Sequence, residues 1–139
     1  MDRRSFLRSS CQACAAFALA PAIVSMESCA SSAKMLAVEN GVLTVPMDTM
    51  GKGNTAIVSG QGLANKLMLV KRADGTYTAL ELLCPHKGGP LNETADGLEC
   101  DWHHSRFDLE GKVLGGPAKA NLKTYPVEAD GKNLRVKVA

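Results

Sequence analysis

The sequence predicts an all-β domain, a small antiparallel sandwich or barrel, and three observations carry that expectation. Short runs of aliphatic and β-branched residues recur from residue 41 to the end of the chain. Between them stand Asp-Gly or Glu-Gly steps at 74–75, 96–97, 110–111 and 130–131, and Asp-Gly supplies the positive φ of a tight hairpin at low steric cost. No stretch after Lys34 sustains a helical period with caps; residues 61–65 suffice for one short turn.

Taken in order, the 139 residues begin with a segment set apart from the rest. Residues 1–28 read as an export signal, a charged start through Arg8 followed by an apolar run over residues 11–26 that contains Pro21. Arg3-Arg4-Ser5-Phe6-Leu7-Arg8 resembles a twin-arginine signal, which implies export of an already folded, cofactor-loaded protein. A membrane-spanning helix needs about 20 apolar residues. The run here is shorter and holds a proline, so cleavage is expected, with a retained N-terminal anchor as the alternative. Cys29 ends the run and is followed by Ala30-Ser31-Ser32, which makes it a candidate for lipidation and membrane tethering. Residues 29–36 then form a linker to a domain over residues 37–139, exported and either periplasmic or anchored facing the periplasm. Cys11 and Cys14 have the spacing of a redox motif but lie in the apolar export segment, where they read as small filler.

Within the domain, residues 41–45 form a first strand stopped by Pro46, and residues 47–54 a polar loop. Residues 55–58 follow as a second strand. Residues 66–72 and 77–83 flank Asp74-Gly75 as a hairpin that delivers the chain to Cys84. A last hairpin joins residues 124–128 to residues 133–138, where apolar and basic residues alternate and Arg135 and Lys137 point outward. With one Trp and few other aromatics the core is aliphatic, and a domain this small gains from a metal staple. The net charge of +2 names no partner, and no basic run with interleaved aromatics marks a nucleic-acid surface.

The chemistry is concentrated in residues 84–117. Cys84-Pro85-His86 and Cys100-Asp101-Trp102-His103 offer two thiolates and two imidazoles, and Gly115-Gly116-Pro117 follows. Such donors suit a tetrahedral zinc ion or a two-iron cluster with two Cys on one iron and two His on the other. Zinc fingers pair Cys with Cys and place the His pair on a helix. Here each pair mixes one Cys with one His and follows a β-type run, which favours iron–sulfur over a zinc-stabilised binding module.

These residues resemble those of a Rieske protein. Residues 84–91 are similar to the family's first box, residues 100–108 to its second and residues 115–118 to its Pro-loop. The resemblance implies a Rieske-type fold with two cluster-binding loops and a 2Fe-2S cluster. Cys84 and Cys100 would ligate the buried iron, and His86 and His103 the outer one. Replacing two thiolates by neutral imidazoles places Rieske potentials at about −150 to +300 mV, against about −400 mV for plant-type ferredoxins. Quinol-oxidising members add a disulfide whose positions fall here at Gly89 and at His104 or a neighbour, and neither box has a second Cys. Ser105 keeps one hydroxyl donor that raises the potential in those members, while Phe107 replaces the tyrosine that supplies another. An intermediate potential is expected. His104 reads as a surface side chain, Trp102 as a cover against water, and Pro117 as a shield.

A cluster fully ligated by protein leaves no open position for substrate, and no second catalytic constellation is visible. The expected function is one-electron transfer with a redox partner protein: a cytochrome, or a quinol-linked or molybdenum oxidoreductase. A small subunit of a quinol:cytochrome reductase or arsenite-oxidase-like complex is the alternative. The export signal argues against a ferredoxin serving a cytoplasmic ring dioxygenase.

Overall fold

The computed structural model describes residues 34–139. The expected export signal, Cys29, and the linker up to residue 33 lie outside the described residues. Twelve strands are described: β1 (Lys34–Leu36), β2 (Val38–Glu39), β3 (Val42–Pro46), β4 (Thr55–Gly60), β5 (Leu67–Lys71), β6 (Tyr77–Glu81), β7 (Leu91–Glu93), β8 (Leu98–Cys100), β9 (Arg106–Phe107), β10 (Val113–Gly115), β11 (Thr124–Asp130) and β12 (Asn133–Lys137). Eight form one sheet in the order β1-β4-β5-β6-β11-β12-β3-β2, and four form a second, β10-β9-β8-β7. Because β1 and β2 are consecutive in the chain yet lie at opposite ends of the first order, that sheet curls into a nearly closed barrel. All pairings are antiparallel except β1 with β4. The all-β expectation holds.

The Asp-Gly hairpins form where the sequence places them. Between β5 and β6, Asp74 Oδ1 accepts hydrogen bonds from the Thr76 N–H (2.8 Å) and hydroxyl (2.6 Å), while Gly75 takes φ +84°. These donors hold the Asp74 carboxyl below its usual pKa. The turn at Asp130-Gly131 aligns Asp130 with Asn133 and sets the register of the last hairpin. In β12, Leu134 and Val136 are fully buried while Arg135 and Lys137 face outward. Besides the short strands β7 to β10, which the sequence reading did not assign, three elements differ from expectation. Residues 34–36, read as linker, form β1; β2 was not anticipated; and Met47–Met50, read as loop, make a turn of 3₁₀ helix closed by the Gly51 N–H on Asp48 O at 2.9 Å.

β5 explains where the site sits. Its side chains alternate between two apolar clusters: Leu67 and Leu69 join Leu43, Val45, Leu134 and Val136 inside the barrel, whereas Met68 and Val70 face the second sheet. β6 does the same with Ala79 and Leu80. Neither strand has a solvent face, so β5 reads as the continuous apolar run Leu67–Val70, and β6 buries Thr78 beside Ala79 and Leu80. The second sheet, inserted between neighbouring strands β6 and β11, lies on this shared wall through Leu91, Leu98 and Phe107, joined by Leu122 of the loop that leads to β11.

Gly97 marks the tightest approach in the inserted sheet: a Cβ there would stand 2.1 Å from the Phe107 carbonyl oxygen. Gly97→Ala is therefore expected to cost at least the ~1–3 kcal/mol of an overpacked core. Thermal unfolding followed by circular dichroism checks this, at about 4–8 °C per kcal/mol for a domain of this size.

Candidate metal centre

The first candidate loop leaves β6 through Leu83, which bridges to Pro90. Its ends are tied by the Cys84 N–H donating to Gly89 O (2.9 Å) and the Gly88 N–H to Cys84 O (2.8 Å). The second loop leaves β8 at Cys100 and is closed likewise, by the Cys100 N–H on Ser105 O and the His104 N–H on Cys100 O, both 2.9 Å. β7 and β8 pair Leu91 with Cys100, and the Asp101 N–H reaches Pro90 O at 3.2 Å, so the loops lie side by side.

This framework gives the four donors two environments. The Cys84 and Cys100 thiols are free and each 1% exposed, sunk in the apolar cluster with Phe107 and Leu98. His86 is half-buried and His103 exposed, their rings edge to face at a centroid separation of 4.8 Å. His86 Nδ1 is buried with no hydrogen-bond partner. A buried ring nitrogen left bare is costly unless something binds it. Desolvation first, then the neighbouring His103 and Lys87, holds the His86 pKa below its ordinary value. The imidazole is therefore neutral at pH 7, as a ligand nitrogen must be. Among the described residues no three Cys, His, Asp or Glu side chains gather about one ion. A donor set divided two and two fits a two-metal cluster.

Ser105 is fully buried, and its Oγ accepts the Ala118 N–H at 3.1 Å. With its lone pair engaged, the hydroxyl keeps its proton to donate. The same bond ties the second loop to the Gly115-Gly116-Pro117 segment, where Gly116 has φ +92° and a Cβ would meet Ser105 Cα at 2.6 Å. Phe107 is wholly buried and offers no donor.

His104, expected at the surface, is there, its side chain 77% exposed and Nδ1 2.7 Å from Glu99 Oε1. It adopts φ +58°, a conformation that costs a non-glycine residue about 1–2 kcal/mol. Trp102, expected as a cover, remains 57% exposed, with one face against Gly89. It is Trp102, not His104, that stands opposite Gly89. Sequence reading missed this contact, and it missed the Asn92 amide donating to Asp101 Oδ2 at 2.7 Å. Neither has a motif; the only sequence signal was a second glycine after the first His.

A β fold with paired loops, two buried thiols, one half-buried imidazole and one exposed imidazole suits an iron–sulfur protein. The chain belongs to the Rieske [2Fe-2S] domain family, whose model matches residues 42–126. Its cofactor is accordingly a 2Fe-2S cluster, not the single zinc ion that the donor set alone left open. The ferredoxin component of the naphthalene 1,2-dioxygenase system of Pseudomonas putida is 33% identical over 85 residues, 58% of this chain and 80% of that protein. The cytochrome b6-f complex iron-sulfur subunit of Chlorobaculum tepidum is 28% identical over 109 residues, 77% of this chain and 59% of that protein. Among solved structures, a cyanobacterial plasma membrane Rieske protein from Synechocystis PCC 6803 matches with TM-score 0.57 and 27% identity over 66% of this chain and 94% of that one.

The contact between Gly116 and Ser105 yields a direct expectation. Gly116→Ala should push the Pro-loop off Ser105, break the Ala118 N–H bond and speed loss of the visible cluster absorbance on exposure to a chelator by about tenfold, within the 10–100-fold cost usual for partners of metal ligands.

Proposed function

We propose that this chain is an exported one-electron carrier in which Cys84, His86, Cys100 and His103 ligate the 2Fe-2S cluster and Ser105 supports it by a hydrogen bond. The observation that carries the reading is the division of donors, thiols buried and imidazoles at the surface. When bound, the cluster supplies a reversible one-electron couple. The residues around it do the rest. Cys84 and Cys100 hold one side away from water, and His86 and His103 bring the other to the surface a partner would meet. Ser105, with its oxygen engaged by Ala118, aims a proton that stabilises added negative charge. Phe107 adds none, which supports an intermediate potential.

The N-terminal sequence supports export, with the mature domain periplasmic or tethered through Cys29 or a retained segment. Among the described residues no helix is long and apolar enough to cross a membrane. The redox partner is a cytochrome or a quinol-linked or molybdenum oxidoreductase. A second reading, the iron-sulfur subunit of a quinol:cytochrome reductase or arsenite-oxidase-like complex, draws support from the similarity to the b6-f subunit. Co-purification of a larger redox subunit favours it.

Electron paramagnetic resonance of the dithionite-reduced protein should give the low average g of a Rieske centre, and stoichiometric zinc without that signal would end the assignment. Intact-mass analysis of membrane-extracted protein should show either a chain cut after the signal or diacylglycerol on Cys29. An unprocessed chain in the cytoplasmic fraction contradicts export. Ser105→Ala should lower the midpoint potential and Phe107→Tyr raise it. A hydrogen bond to a charged group is worth about 1.5–3 kcal/mol, which for one electron is about 65–130 mV. Square-wave voltammetry reads both shifts.

A further inference from the structure

Gly89 occupies a singular position between the two loops. Its carbonyl accepts the Cys84 N–H at 2.9 Å. On its other side, a Cβ would lie 2.7 Å from Cys100 Sγ, 3.0 Å from Trp102 Cδ2 and 3.1 Å from Trp102 Cγ. Gly89 therefore binds the backbone of one cysteine, and a side chain in its place would run into the sulfur of the other and the indole. Only a residue with no side chain fits this slot. Gly89 is buried although most of its loop is exposed, and Trp102 is the large side chain laid against it.

We infer that the Trp102 indole seated on Gly89 is a cross-loop latch, which holds the two cluster-binding loops together and covers the Cys100 sulfur. Both residues are positioning residues. The inference rests on the assignment of Cys84 and Cys100 as cluster ligands. The physical argument has two parts. No covalent bond joins the loops, since the described cysteines are both free, and the backbone ties between them are confined to the Leu91–Cys100 pair and the Asp101–Pro90 bond. Beyond Pro90 and Asp101 the tips meet through the edge-to-face rings of His86 and His103, and the indole at Gly89 adds a second contact nearer the sulfurs. Secondly, a metal-bound thiolate is lost by protonation or oxidation from the water side. Across Gly89 that side is occupied by the indole. The outer face of Trp102 stays open, which explains why the residue is 57% exposed while still performing this role.

The test uses the full-length, cluster-loaded protein and reads loss of visible absorbance and iron content during incubation with a chelator in air, with far-UV circular dichroism as the check on folding. Trp102→Ala is expected to lose iron about tenfold faster than the parent, as for other residues that support metal ligands. Trp102→Phe keeps an aromatic face on Gly89 and should stay near the parent rate. Gly89→Ala should resemble Trp102→Ala, because the added methyl displaces the indole and presses on Cys100 Sγ.

Trp102→Ala at the parent rate overturns the latch, and so does a loss that Phe fails to repair. Electron paramagnetic resonance adds an independent readout: a changed g-tensor in Trp102→Ala that returns in Trp102→Phe supports the latch, whereas an unchanged tensor in both overturns it. A parent protein that binds no iron would instead bring down the ligand assignment, a result distinct from any of these.

Discussion

Two hydrogen bonds, from the N–H groups of Cys84 and Cys100 to the carbonyls of Gly89 and Ser105, set the geometry on which the rest of the site depends. Each closes a loop onto the cysteine that begins it. The thiol is thereby fixed facing the apolar cluster, at the end of β8 for Cys100 and three residues past β6 for Cys84, and the histidine two or three residues later lies farther out, half-buried at His86 and exposed at His103. A cysteine free of this constraint would sit on a flexible loop, and its burial at 1% exposure would be hard to maintain. Pairing of Leu91 with Cys100 then places the loops side by side, so that two local closures bring the proposed donors of both loops to one end of the inserted sheet. Substitutions at Gly89, Gly97 or Gly116 matter for the same reason: each glycine lies where one chain segment approaches another too closely for a Cβ.

The barrel makes this arrangement affordable without a disulfide. β5 and β6 are buried on both faces, and the residues they share between two apolar clusters couple the inserted sheet to the barrel. Moving Met68 or Leu80 disturbs the wall under the cysteines, while moving Leu69 or Ala79 disturbs the barrel behind it. The insertion also returns to the point it left: the Glu81 N–H donates to Lys123 O at 2.9 Å, and β11 resumes pairing with β6 at Thr124. The loops thus rise from a closed base, which limits the conformations open to them before any cofactor binds. Such preorganisation lowers the entropy lost when the donors are fixed.

Much of this was legible in the sequence because it is local. Asp74-Gly75 and Asp130-Gly131 announce hairpins through the backbone angles they favour, and the alternation of Leu134, Arg135, Val136 and Lys137 announces a half-buried strand. The Cys-x-His and Cys-x-x-His pairs were equally visible, since their order already distinguishes mixed ligation from a zinc finger. What escaped was non-local or very short. Strands β7 to β10 have two or three residues each, too few to show a period, and β1 is a strand only because β4 offers it an edge. The 3₁₀ turn at Met47–Met50 follows a proline that ends β3 as expected but leaves the next turn undetermined. Trp102 illustrates the deeper limit. Its place in the motif was plain, yet its partner lies in the other loop, and the glycine that receives it has no side chain to signal the contact.

The same asymmetry that hid Trp102 governs the electrostatics of the centre. On its inner side, Phe107, Leu98 and the two cysteines form an apolar wall that disfavours added negative charge. On its outer side the two histidine rings stand, with Lys87, after desolvation and His103, helping to lower the His86 pKa, and a positive charge there favours an added electron. In the proposed site the fully buried Ser105 hydroxyl offsets the inner wall, and its oxygen accepts the Ala118 N–H of a separate loop. The electron affinity of the site is therefore set jointly by three segments that are far apart in sequence. A change in the Pro-loop acts on it through Ser105 without touching a ligand. Under the proposed ligation the four donors would set the range of the potential, and the Ser105 and Phe107 positions, both fully buried, would set where within it the protein lies.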